Sequence, residues 1–82
     1  MLPADILPAR TLDAIGLFCP VPIIKTAAAV KEMAVGEVLF LRADDRGVLV
    51  DLPAWCKMAR HELLGMAEEG DVVVAYVRKA HA

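Results

Sequence analysis

The chain has 82 residues, 59% of them apolar, with 9 basic side chains against 11 acidic ones and a net charge of −2. That length predicts a single domain, and that apolar share excludes a disordered tail. The basic residues are scattered between Arg10 and Lys79 without a run, which excludes a nucleic-acid grip built on a basic patch, and no apolar run approaches the roughly 18 residues of a membrane span.

Residues 1–10 contain Pro3 and Pro8 and are expected to form a loose arm, with 11–82 as the domain. The start, Met1-Leu2-Pro3-Ala4-Asp5, lacks the basic residues and long apolar stretch of a signal peptide, so a cytoplasmic location is expected. Cys19 and Cys56 should then stay reduced unless they do chemistry. Thr11-Leu12-Asp13-Ala14 reads as a short strand broken by Gly16.

Cys19-Pro20-Val21-Pro22 follows, and proline suits the first turn of a helix, where amide hydrogens lack partners. Ile23, Ala27, Val30 and Ala34 then recur at helical spacing, which predicts a helix from about Pro20 to Ala34, stopped by Gly36. Glu37 to Ala43 reads as a strand and Asp44-Asp45-Arg46-Gly47 as a turn. Val48 to Asp51 reads as a single helical turn, with Pro53 restarting a second helix on which Leu52, Cys56, Ala59 and Leu63 share a face. Leu64 to Glu68 is a strand candidate, Glu69-Gly70-Asp71 a hairpin turn, and Val72 to Lys79 a β-branched strand. The order βαβαββ predicts two helices on one face of a four-stranded mixed sheet. The unbroken apolar runs Val38–Leu41 and Val72–Val77 mean either that both sheet faces are covered or that one awaits a partner.

The feature that points to chemistry is a cysteine just ahead of a helix. The thiolate is the nucleophile, and a free thiol has a pKa of about 8.5. A helix N-terminus favours the anion by roughly 0.3–1 kcal/mol when exposed, which lowers that value by less than about one unit. Pro20 and Pro22 supply no amide hydrogen to the sulfur, and the apolar Phe18 beside it can desolvate it. A moderately reactive thiol is therefore expected rather than a strongly acidified one. Spacing alone leaves two readings of Cys19: a small buried residue at a helix start, or an accessible nucleophile on a stiff proline-braced element.

Other residues carry paired readings. Asp13 and Asp45 either tune the sulfur or cap turns and helices. Lys25 either reaches toward Cys19 or is a solvated surface lysine. Cys56 either resolves a modified Cys19 or packs in the core beside Leu52, Ala59 and Leu63. His61 is expected late in the second helix, where a cation suits the dipole, and His81 at a fraying end. Trp55 and Met58 read as packing residues, with the tryptophan also able to anchor a partner. Neither cysteine has the spacing of a metal ligand set.

The stretch Leu12-Asp13-Ala14-Ile15-Gly16-Leu17-Phe18-Cys19-Pro20-Val21-Pro22 resembles the L-D-x-x-G-x-x-C-P-x-P signature of the TusA/SirA-like sulfur carriers. The resemblance continues in Ile23-Ile24-Lys25-Thr26, Gly36-Glu37, Ala43-Asp44-Asp45, Leu52-Pro53-Ala54-Trp55-Cys56, His61-Glu62-Leu63 and Tyr76-Val77-Arg78-Lys79, spanning about residues 11–79. It implies a two-layer α/β sandwich and a covalent persulfide on Cys19, with Asp13, Gly16, Pro20 and Pro22 as motif support and no further cofactor. It also implies a cysteine desulfurase or rhodanese-type sulfur donor and a downstream acceptor protein, in tRNA thiolation, cofactor sulfuration or sulfur oxidation, without direct nucleic-acid or membrane binding. The tRNA-thiolation members usually carry arginine and glutamate where this chain has Phe18 and Val21. Both differences remove charge around the sulfur, and rim charges steer partner encounter.

Two other functions are set against a sulfur carrier. A non-catalytic interaction or regulatory module of the same fold would use an exposed sheet face. A thiol-disulfide oxidoreductase pairing Cys19 with Cys56 would normally show a C-x-x-C arrangement, which this chain lacks. Whether a sulfur carrier counts as an enzyme is a matter of definition, since its cysteine is consumed and regenerated.

Overall fold

The computed structural model describes residues 6–82. In chain order its elements are β1 (Arg10–Ala14), α1 (Val21–Lys31), β2 (Val38–Ala43), α2 (Val48–Ala59), β3 (Glu62–Glu69) and β4 (Val72–Arg78). Of the arm expected over residues 1–10, residues 1–5 lie outside the described residues. Ala9 already donates its amide to the Val38 carbonyl at 2.8 Å, and β1 begins at Arg10.

The sheet is four-stranded in the order β1-β2-β4-β3. β1 runs parallel to β2, and the other pairings are antiparallel, so the sheet is mixed as expected. Side chains alternate between its faces. Leu39, Leu41 and Ala43 of β2 and Val73, Ala75 and Val77 of β4 face the helices and are buried, each at most 3% exposed. Ala29 and Val30 of α1 and Val48, Leu52 and Cys56 of α2 close the core from the other side. Fully burying a side chain such as Leu39, Leu41 or Leu52 contributes about 1.5–3 kcal/mol.

Several boundaries differ from the sequence reading, each for a physical reason. α1 ends at Lys31 rather than near Ala34, because the chain tightens into i to i+3 bonds from Glu32 to Ala29 and from Met33 to Val30. The buried Lys79 ammonium donates to the Lys31 carbonyl at 3.2 Å and to the Met33 carbonyl at 2.6 Å, satisfying groups that a helix end leaves open. α2 is one continuous helix, with Pro53 inside it rather than at a restart. The ring removes the bond to the Leu49 carbonyl, while Val48 and Leu52, both wholly buried, hold the turn in line. Arg60, at φ 62° and ψ 37°, ends that helix in a left-handed conformation. His61 therefore stands beyond α2, and Leu63 belongs to β3 rather than to the helical face.

β3 is longer than expected and carries an irregularity between Leu63 and Gly65. The hairpin to β4 has a two-residue turn, Gly70-Asp71, with Glu69 paired to Val72. Gly70 stands at φ 64°, which that turn requires. His81, expected to fray, stacks on His61 at 4.6 Å and donates from Nε2 to the Ala59 carbonyl at 2.8 Å.

Candidate functional site

Parallel pairing of β1 and β2 brings the carboxyl ends of two strands out side by side, with Ala14 level with Ala43. Loops leaving that edge converge outside the sheet, the usual place for a site in a parallel sheet segment. One loop leads from Ala14 through Cys19 to α1, and the other leads from Ala43 through Asp44 and Asp45 to α2.

Two aspartates tie these loops together. Asp44 accepts from the Gly16 amide at 2.9 Å. Asp45 uses both oxygens: Oδ2 accepts from the Cys19 amide at 2.7 Å and Oδ1 from the Gly47 amide at 2.8 Å. Those two bonds hold the Asp45 carboxyl below its ordinary pKa. Gly16 stands at φ 84°, in the left-handed region that glycine allows. Pro20 caps α1, after a cis Cys19-Pro20 peptide bond, and Pro22 is buried in the first turn, its carbonyl accepting from the Thr26 hydroxyl at 2.8 Å.

The Cys19 sulfur rests against Gly47, the residue that caps α2, 3.2 Å from where a Cβ on that glycine would stand. It thus meets the start of the second helix, whereas the sequence pointed only to the first. Cys19 is partly exposed and is not joined in a disulfide. Its pKa is raised, first by burial, then by the carboxylates of Asp51 and Asp45. Phe18 does not supply the expected desolvation, since it is 77% exposed. Burial by other groups, and after it the two carboxylates, restrain the anion.

The remaining candidates separate clearly. Asp13 accepts from the Ile15 amide at 3.1 Å and pairs with Arg42 at 3.5 Å. Lys25 is exposed on α1 and is not among the groups that act on the Cys19 thiol. Cys56 is 3% exposed within the core, and burial pushes its thiol up to about 11. A cavity of about 270 Å³ opens beside the cysteine loop, lined by Pro20, Ile23, Asp51, Ala54, Trp55 and Met58. Trp55 packs partly on the core, while Met58 is 76% exposed and is no packing residue. Gly47 and Asp51 were missed from sequence. The signal available for both was an acidic turn ending in glycine, followed by an aspartate in the first turn of a helix.

An open two-layer α/β sandwich with a partly exposed cysteine in the loop that leaves a parallel strand defines a class of small thiol domains. The chain belongs to the TusA family: the family model described as "Sulfurtransferase TusA" matches residues 10–79. It is 41% identical over 70 residues to "Putative sulfur carrier protein YrkI" of Bacillus subtilis (strain 168), covering 85% of this chain and 93% of that protein. It is 47% identical over 68 residues to "Putative sulfur carrier protein YrkF" of the same organism, covering 83% of this chain. The chain spans only 37% of the length of YrkF. The crystal structure of a SirA-like protein from Desulfitobacterium hafniense superposes with a TM-score of 0.76 at 20% identity, covering 88% of this chain and 99% of that one, and so shares the fold.

Proposed function

We propose that this chain is a persulfide carrier in which Cys19 receives a sulfane sulfur from a donor protein and passes it to an acceptor. The Cys19 thiolate attacks the outer sulfur of the donor persulfide. A new S–S bond forms on Cys19, the donor's S–S bond breaks, and the donor thiolate leaves with the electron pair. The reverse chemistry on an acceptor thiolate empties the carrier. No oxidant is consumed, since the sulfane sulfur moves at its own oxidation level.

The observation that carries this reading is the Asp45 clip: it fixes the backbone of a partly exposed cysteine while leaving the sulfur reachable. Membership of the TusA family and the names of the relatives agree with it. A cysteine desulfurase or rhodanese-type protein is the expected donor, and the cytoplasm the expected setting. The exposed Phe18, Ile24 and Met58, at 77%, 61% and 76%, give the loop an apolar rim, in keeping with partners that do not dock by charge. The test is incubation with a cysteine desulfurase and radiosulfur-labelled cysteine. Label should travel with the protein on a non-reducing gel, leave on reduction, and be missing from Cys19→Ser.

A second reading rests on the sheet face away from the helices. Phe40 and Tyr76, both partly exposed, meet there at 5.0 Å between ring centres. Arg42 with Asp13 and Arg78 with Glu62 flank them as ion pairs. A docking module would use this face and keep its partner in Cys19→Ser, whereas a carrier loses all transfer.

A further inference from the structure

β2 runs from Val38 to Ala43, and Ala43 stands at the Cys19 end, so Val38 and its partner Arg78 mark the opposite end of the sheet. A second cavity, of about 310 Å³, opens there beside the end of α1. Ala27 and Val30 of α1 give it apolar lining, and its charged or ionisable side chains among the described residues are all basic: Lys31, Lys79, His61 and His81. They come from separate parts of the chain, since Lys31 ends α1, His61 lies between α2 and β3, and Lys79 and His81 follow β4. The acids beside them in sequence are engaged elsewhere: Glu32 pairs with Arg10 at 2.9 Å and Glu62 with Arg78 at 2.6 Å.

Hydrogen bonds fix which donors are left over. His61 Nδ1 accepts from the Ala80 amide at 3.1 Å, so the neutral ring carries its hydrogen on Nε2, which has no partner among the described residues. Lys79, 8% exposed, spends two of its three ammonium hydrogens on the Lys31 and Met33 carbonyls and keeps one. The Lys31 ammonium makes no ion pair among the described residues. His81 has Nε2 at 2.8 Å from the Ala59 oxygen and Nδ1 at 3.0 Å from the Ala82 oxygen, and only an imidazolium donates to both.

We propose that this cavity binds a small tetrahedral oxyanion, a phosphate or sulfate group, through His61 Nε2–H and the Lys31 and Lys79 ammonium groups. The site lies apart from the thiol and goes beyond the carrier reading. Like charges gathered on one small cavity repel one another, and a compact anion relieves that repulsion through charge-assisted hydrogen bonds. The volume lies at the low end for ligand pockets, which suits an anionic group rather than an extended acidic chain. The field is felt at His61, whose pKa is lowered first by burial and then by the charges of His81 and Lys79. A bound anion opposes that lowering, so binding tightens as pH falls and His61 takes up a proton.

The experiment follows the histidine ring and backbone amide resonances of the full chain as sodium phosphate, sodium sulfate or sodium chloride is added at constant ionic strength, between about pH 5 and pH 8. At least one of the two oxyanions should shift His61 and Ala80 saturably and move the His61 midpoint upward relative to chloride. Lys31→Gln and His61→Gln should each weaken that binding about three- to tenfold, the size of one solvent-screened charge-assisted hydrogen bond. Lys25→Gln, which alters an exposed lysine of the same helix outside the cavity lining, should bind as the parent does. Lys31 is exposed and holds Lys79 through its carbonyl, so Lys31→Gln is expected to fold. Tighter binding of phosphate points to a phosphorylated ligand and tighter binding of sulfate to a sulfur oxyanion, and either supports the site. Shifts no different from those in chloride, or an equal loss in Lys25→Gln and Lys31→Gln, overturn it.

Discussion

The Cys19 sulfur lies 3.2 Å from the point at which a Cβ on Gly47 would stand, and Asp45 Oδ1 is equally close to that point. Gly47 has φ −57°, a helical value open to any residue, so the glycine is required for room and not for backbone freedom. Gly47→Ala should displace the sulfur or the Asp45 clip and cost about 1–3 kcal/mol by overpacking. Denaturant unfolding and Cys19 alkylation check this together; parent values in both would show that the contact is slack.

Asp45 carries a pH dependence of definite sign. The Cys19 and Gly47 amides hold its carboxyl below the ordinary value of 3.8. Its contribution to stability is therefore present above the unfolded pKa and lost as pH falls through the lower folded value. Asp45→Asn should be less stable than the parent at neutral pH, and the two should converge in strong acid. Unfolding curves across acidic pH check it; a gap that stays constant in acid would contradict it.

His61 behaves in the opposite chemical sense with the same slope. Burial, with His81 and Lys79 nearby, lowers its pKa from 6.5. Between the unfolded and folded values the unfolded chain holds the extra proton, so stability falls as pH drops through that window. Replacing His61 by Gln should flatten the fall, as read by melting temperature between about pH 7.5 and pH 5.

Lys79 closes α1 with its ammonium on the Lys31 and Met33 carbonyls. Lys79→Met keeps the apolar stem and leaves those carbonyls without their donor, at a cost of about 1–3 kcal/mol. Equilibrium unfolding checks the size, and loss of amide protection confined to the end of α1 would locate it.

The two thiols should part cleanly. Cys56 is 3% exposed with its thiol pushed up to about 11, so alkylation of the native protein should fall on Cys19 alone, and Cys56 should react only on unfolding. Peptide mapping after limited alkylation decides it, and early label on Cys56 would revive its reading as a thiol that resolves a modified Cys19.

Element order and the two helices on a mixed sheet were legible because the periodicities of α1, β2 and β4 are strong and the glycines at 16, 36 and 70 punctuate them. Pro53 misled the reading of α2, since local proline geometry argues for a helix start while the burial of Val48 and Leu52 overrides it. His61 was assigned to the helix because nothing in the sequence marks Arg60 for a left-handed conformation. At the site, Cys19 stood out from its motif, and Asp45 was a candidate. The meeting of Cys19 with Gly47 and Asp45 depends on the parallel register of β1 and β2, which joins loops 26 residues apart and leaves no local pattern.

The central claim is that Cys19 holds a transferable sulfur, and intact mass after incubation of the reduced protein with a cysteine desulfurase and cysteine tests it most directly. The account predicts a gain of one sulfur atom in the parent and in Cys56→Ser, removed by reductant and absent from Cys19→Ser. A gain that survives in Cys19→Ser would move the chemistry to Cys56. No gain from desulfurase, rhodanese or polysulfide, with the thiol still free, would contradict the carrier account and favour the docking face of Phe40 and Tyr76.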